Sequence, residues 1–167
     1  MQLFTWDYYD HLRNLTSLPI IPKGITNIED AKIAVSKGAP AIILSNHGGR
    51  HLDGAPSALQ TALQIHDEAP EIFQQTEVLA DGGVRYGGDV LKLLALGCKA
   101  VGLGRSFMYA NIYGPQGVER AIELLKKEIY LDAVNLGISD LKQLNSSWVS
   151  NTVICHHSLV NASLTKF

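Results

Sequence analysis

Cysteine is scarce in this chain, with only Cys98 and Cys155 in 167 residues. Two cysteines cannot build the disulfide framework of a small secreted scaffold, so a reduced, intracellular setting is the default expectation. Charge of one sign is also lacking. Fourteen basic and sixteen acidic residues leave a net charge of -2 with histidine neutral, which points to neither nucleic acid nor an anionic membrane as partner. No apolar run reaches the roughly 18 residues that suggest a membrane segment. The opening MQLFTWDYYDHLRNL is too acidic and aromatic for a secretory signal and reads like the interior of a longer chain. Spacing of His, Cys and acidic residues suited to a metal site is missing too, so no metal is expected. What the chain does have is 46% hydrophobic content, enough for one real core.

That apolar material is arranged in continuous runs. Strands are predicted at residues 18–22, 41–45, 77–80 and 100–103, and unbroken runs of this kind suit parallel strands covered on both faces. Helical patterns lie between them at 27–37, 56–68 and 87–96, with Gly or Pro at most junctions. The order is βαβαβαβ, which predicts an α/β fold with helices packed outside a parallel sheet. A short helical turn, RSFMYANIYG, follows Gly104, and a long amphipathic helix runs from Pro115 to about Asn135. GISDLKQL suggests a small helix capped by Ser139, and residues 150–167 form an irregular tail.

An internal echo supports this organisation. GITNIEDAKIAVSKGAPAIIL and GVRYGGDVLKLLALGCKAVGL align without gaps from Gly24 and Gly83. Gly24/Gly83, Asp30/Asp89 and Gly38/Gly97 coincide. Gly38 and Gly97 can take the left-handed conformation that ends a helix before the next strand. Repeated modules point to a repetitive β/α architecture.

Ligands of parallel β/α folds bind at the carboxyl ends of the strands, and four strand exits here carry distinctive residues. The first gives Lys23 and Gly24, the second Ser45, Asn46, His47 and Arg50, the third Asp81, Gly82, Gly83 and Arg85, the fourth Gly102, Gly104 and Arg105. A lone Lys after a strand is usually solvated, and DGGVR and GLGR would serve as ordinary tight turns. Gly-rich exits followed by helix amides also suit a phosphate, with Arg as a forked clamp. His47 and Arg50 are more specific as a pair. Imidazole takes a proton near neutral pH and Arg holds a carboxylate bidentately, so together they could bind a small organic acid and deprotonate it. His51, directly after Arg50, is expected to face elsewhere, His66 lies in a helix, and His156 and His157 sit in the tail. GLGR is not a dinucleotide fingerprint, because the final glycine of GxGxxG is missing.

LPIIPKG, SNHGGRHLDG, LADGGVRYGGDVLKLLALG and AVGLGRSFMYA together resemble the FMN-dependent 2-hydroxy-acid oxidase and dehydrogenase family, which includes glycolate oxidase, lactate oxidase and yeast-type cytochrome-linked L-lactate dehydrogenase. The resemblance covers residues 4–149 and places 1–149 in the C-terminal portion of that family's barrel domain. It implies a (β/α)8 TIM-barrel fold of which this chain holds the last four β/α units; a whole barrel usually takes about 250 residues. It also implies FMN-dependent oxidation of a small (S)-2-hydroxy acid, such as L-lactate or glycolate, to the 2-oxo acid. In the roles it assigns, His47 is the catalytic base and Arg50 binds the substrate carboxylate. Lys23 contacts the flavin and stabilises negative charge on it, and Ser45 lines the flavin pocket. Asp81, Gly82, Gly83, Arg85, Gly104 and Arg105 surround the ribityl chain and phosphate. The compartment stays open among cytoplasm, mitochondrion and peroxisome.

The chain departs from the family pattern at several points. Pro22 precedes Lys23 and cannot donate a ladder hydrogen bond; Tyr86 and Gly88 replace the usual Arg and Thr, and Ser106 a usual Pro. Two other classes stand beside the enzyme. One is a catalytically inactive, truncated family member that binds FMN or phosphate weakly, associates with itself, or pairs with another half-barrel through open sheet edges. The other is a different phosphate-binding barrel enzyme, such as an isomerase, against which His47, Arg50 and Lys23 argue.

Overall fold

The computed structural model describes residues 4–149, so the tail expected at 150–167 lies outside the described residues. Four strands, β1 (Lys23–Ile25), β2 (Ala41–Leu44), β3 (Glu77–Asp81) and β4 (Ala100–Gly102), form one parallel sheet in sequential order. Seven α-helices accompany them: α1 (Trp6–Leu15), α2 (Ile28–Ser36), α3 (Ala58–Glu68), α4 (Ile72–Gln75), α5 (Gly87–Ala95), α6 (Arg105–Ala110) and α7 (Gly114–Asn135). The expected α/β class and the sequential parallel topology are both present.

The sequence echo has a structural counterpart. Asp30 and Asp89 occupy the third position of α2 and α5. Asp30 gives its N–H to the Asn27 side chain at 2.7 Å, while Asp89 accepts from the backbone of Arg85 and Tyr86 at 3.0 and 3.1 Å. Both satisfy donors that a helix start leaves open. Gly38 and Gly97 close the two helices at φ +70° and +108°, where a side chain would be strained.

Register explains which residues meet at the site. Lys23, Ile43, Leu79 and Ala100 are partners across the ladder, as are Ile42 with Val78, and Leu44 with Ala80 and Val101. The Ile42, Leu44, Val78 and Ala80 side chains are buried against the helices. Each large aliphatic in that layer contributes about 1.5–3 kcal/mol relative to exposure. Ile43 and Leu79, on the other face, are only half-buried. The expectation of cover on both faces is therefore corrected: helices line one face, as in the wall of a β/α barrel, whose inner face is filled by strand side chains instead. Because alternate residues share a face, Ser45 and Asp81 lie on the same side as Lys23.

Other expectations need correction. Pairing begins at Lys23, not over 18–22, because Pro19 and Pro22 have no N–H to give; Pro22 contributes only its carbonyl, which accepts from Ile43 N at 3.0 Å. The small helix near 141 is a single 3-10 turn, Leu141–Gln143, capped by Asp140 through Lys142 N at 2.9 Å, not by Ser139. Helix α1 went unread in the aromatic start. Thr5 caps it, and Trp6 Nε1 donates to Asp30 Oδ1 at 2.9 Å, tying it to α2. Cys98 is buried in the core, which pushes its thiol up to about 12. Among the described residues no helix is long and apolar enough to cross a membrane.

Candidate functional site

Parallel strands bring all four exits to one edge of the sheet, and three are linked by side-chain hydrogen bonds. Lys23 Nζ donates to Ser45 Oγ at 2.7 Å and pairs with Asp81 Oδ2 at 2.7 Å. Ser45 Oγ in turn donates to Asp81 Oδ1 and accepts from the His47 N–H at 3.0 Å. One hydroxyl thus uses its single proton and both lone pairs. Ser45 is 2% exposed, so leaving it unpaired would be costly. Burial pushes the Asp81 carboxyl up, but hydrogen bonds from Lys23 and Ser45 and the charges of Lys23 and His47 outweigh it and hold the group below its usual 3.8.

From Ser45 the chain enters a tight 3-10 turn, His47–Gly49, with φ of 57°, 67° and 75°. Gly48 and Gly49 take these angles freely; His47 does so at a cost of about 1–3 kcal/mol. Asn46 Oδ1 secures the turn by accepting from Gly49 N at 3.0 Å. His47 reaches a cleft of about 270 Å³ lined also by Lys23, Ser45, Asn46, His51 and Leu52. His51 does not face elsewhere. Its ring stacks on His47, centroids 4.0 Å apart and planes 17° from parallel. The His47 pKa lies below 6.5, first because of the charge of His51, then burial, then Arg50 and Lys23, with Asp81 opposing. Arg50 is exposed and donates Nε to the His47 carbonyl at 3.2 Å.

At the third exit Gly82 and Gly83 have φ of 95° and 77°, and the Gly83 backbone faces open space, as does that of Gly104. Arg105 bridges the fourth exit to the second, donating Nη2 to the Gly48 carbonyl at 2.6 Å. A side chain at Gly48 would meet that guanidinium at 2.8 Å, so glycine there permits the contact. Arg85 is exposed, and its side chain joins no hydrogen bond among the described residues. Lys23, Ser45, His47 and Asp81 are therefore drawn together directly, Arg105 through Gly48, and Arg50 through the His47 carbonyl. Arg85 stands apart. Sequence reasoning missed His51 because its position depends on three successive left-handed residues, two of them the glycines that were legible.

The FMN-dependent dehydrogenase family model matches residues 1–151. Over 143 residues the chain is 43% identical to L-lactate dehydrogenase (cytochrome) of Saccharomyces cerevisiae, covering 84% of this chain and 24% of that protein. It is 43% identical over 150 residues to 2-hydroxyacid oxidase 1 of Mus musculus, covering 87% and 39%. Among solved structures, the flavin-binding domain of baker's yeast flavocytochrome b2 superposes with a TM-score of 0.83 at 41% identity, over 89% of this chain and 39% of that one. A mandelate oxidase variant with (S)-mandelic acid gives 0.76 at 40%, over 86% and 42%. The chain thus spans about a quarter to two fifths of the relatives it matches, and its sheet and helices correspond to part of a (β/α)8 barrel. Sequence and fold agree across nearly the whole described segment: this chain belongs to the FMN-dependent dehydrogenase family.

Proposed function

We propose that this chain carries the substrate-deprotonating and much of the phosphate-binding part of an FMN-dependent enzyme that oxidises a small (S)-2-hydroxy acid to its 2-oxo acid. The observation that carries this is His47, its pKa lowered, on a left-handed turn above a cleft that it shares with the Lys23 ammonium. A neutral imidazole accepts a proton and a protonated one does not, so the lowered pKa extends the pH range in which His47 works as a base. Arg50, anchored to the same turn by donating its Nε to the His47 carbonyl at 3.2 Å, offers its remaining guanidinium N–H groups to the substrate carboxylate. Oxidation removes two protons and two electrons from the alcohol carbon and its hydroxyl. His47 takes a proton from one of those two atoms.

The residues present fit a flavin. Lys23 is a positive group at the rim, fixed by Ser45 and Asp81, suited to negative charge on the isoalloxazine. Gly24, Gly83 and Gly104 leave open space where side chains would stand, as a bound ribityl phosphate requires. Asp81, Gly82, Gly83, Arg85, Gly104 and Arg105 would surround that chain and phosphate, with Arg105 exchanging its Gly48 contact for the anion. FMN supplies the acceptor for the two electrons.

Two features favour low turnover by the 167-residue chain alone. Among the described residues no carboxylate hydrogen-bonds the His47 ring to orient it, and β1 and β4 each pair on one side only. A second copy or a complementary half-barrel would complete the wall. The test is to saturate purified chain with FMN, record its visible spectrum, and assay L-lactate, glycolate and longer 2-hydroxy acids with an artificial electron acceptor. Bound flavin with turnover that vanishes in His47→Ala supports the assignment; a chain that binds no flavin at any concentration, with or without a partner half, sinks it.

A further inference from the structure

We propose that His51 is a positioning residue for His47: the imidazoles lie face to face, so His51 fixes the plane of the His47 ring over the cleft and governs, through its own charge, when that ring is free to take a proton. The proposal rests on His47 being the base, and it assigns a role to a residue outside that chemistry.

The geometry comes from the turn. Left-handed backbone at His47, Gly48 and Gly49 folds the chain back within four residues, which sets the two rings 4.0 Å apart and 17° from parallel. Both line the same cleft. The other groups around His47 are accounted for. Its own loop supplies Arg50, whose Nε is spent on the His47 carbonyl. Strand β1 supplies Lys23 and β3 supplies Asp81, paired at 2.7 Å, whose charges act on His47 in opposite directions and less than that of His51. Arg105, from α6, donates to the Gly48 carbonyl and to no other group among the described residues. Ser45 meets the His47 backbone, not its ring. This leaves His51 as the neighbour in ring contact, and its charge is the largest cause of the lowered His47 pKa.

At 4.0 Å between centroids, charge on one ring weighs directly on the other, so the two behave as a coupled pair. Above both midpoints the stack is neutral and His47 is available as a base. As pH falls one proton enters the pair, and the second is resisted because two imidazolium rings would lie at contact distance. Residence of the first proton on His51 leaves His47 neutral. A Gln in place of His51 would neither stack as a plate nor carry charge. An Arg would do both, with a permanent charge.

The experiment is a side-chain NMR titration of the 167-residue chain without flavin, comparing wild type, His51→Gln and His51→Arg, with backbone spectra to verify the fold. Expected are wild-type curves in which each ring responds at the other's midpoint, a His47 midpoint raised in His51→Gln, and one kept low in His51→Arg. Independent single-step curves in the wild type, or an unmoved His47 midpoint in His51→Gln, would overturn the proposal. FMN fluorescence titration of the same proteins separates the two levels. Coupled rings in a chain that fails to quench FMN support the pairing and count against the flavin assignment, whereas quenching with uncoupled rings overturns the pairing alone.

Discussion

Residues 24–44 and 83–103 follow one sequence frame, and their helices start and stop at matching positions, yet the strands that end them differ in surroundings. β2 lies between β1 and β3, and Ile42 is 0% exposed. β4 pairs only with β3 among the described residues, and Val101, at the same frame position as Ile42, is half-buried. Gly102 stands where the first module has Ile43. The frame decides backbone conformation; neighbours decide how much each side chain contributes.

The largest effect should come from testing that difference directly. Ile42→Ala removes a buried side chain from the packed layer and should cost about 2–5 kcal/mol. Val101→Ala, at an edge, should cost less than half as much. Urea unfolding of the two variants measures both, and equal losses would show that β4 is as well covered as β2.

The modules also part company where helices begin. Ile28 and Gly87 share a frame position, and Ile28 fills the core. A Cβ on Gly87 would lie 2.4 Å from the Ile129 nitrogen and 2.6 Å from the Glu128 carbonyl carbon, so α7 packs directly on the α5 backbone there. Gly87→Ala should cost about 1–3 kcal/mol by overpacking, although alanine is the better helix former. A stabilised Gly87→Ala protein in thermal or urea unfolding would mean that α7 yields easily.

These contrasts define what could be read in advance. Strand order, helices α2, α3, α5 and α7 and the glycine stops follow from local chemistry in the chain and were legible, whereas α1 and the single turn α4 were not. Lys23, Ser45, His47 and Asp81 were legible as candidates because parallel strands always deliver their exits to one edge. Three features around the site were not. Pairing in β1 starts late because two prolines cannot donate, although the residues before them are as apolar as a strand. His51 came into the site through a turn whose backbone angles no periodicity encodes. Arg105 turned inward to Gly48, a contact between segments 57 residues apart. The first was marked locally by Pro22 yet outweighed by the apolar run around it; the other two depend on tertiary geometry, about which local pattern carries no information.

Capping offers a finer comparison, because Asn27 and Tyr86 occupy the same frame position. The Asn27 side chain accepts from Asp30 N, whereas at Tyr86 the pairing is made by its backbone N–H to Asp89. Asn27→Ala should therefore cost about 1 kcal/mol, and Tyr86→Asn should gain a few tenths. Chemical denaturation resolves both. A neutral Asn27→Ala would place the capping energy in the Asp30 carboxylate, which holds Trp6 and Asn27 on its two oxygens.

The smallest effect concerns the residue just before each module's leading pair, which is Pro22 in the first and Asp81 in the second. Only the second can titrate. Lys23 and Ser45 hold the Asp81 carboxyl below 3.8 despite the opposing effect of burial, so near that pH the folded chain binds fewer protons than the unfolded one. The resulting stabilisation is complete above about 3.8, the unfolded value, and is lost as pH falls through the lower folded value. Solvent reaches both partners, with side chains 41% exposed at Lys23 and 29% at Asp81, so screening keeps the contribution modest and added salt should reduce it further. His47 acts in a separate window. Its lowered pKa makes acidification from about 6.5 downward destabilising, well before Asp81 begins to protonate. Asp81→Asn should consequently be less stable than wild type at neutral pH, and the gap should narrow only in the most acid part of a urea-unfolding series, below 3.8. A gap that stays constant across that range would mean that Asp81 supports the rim by hydrogen bonding to Ser45 and Lys23 alone, with no electrostatic share.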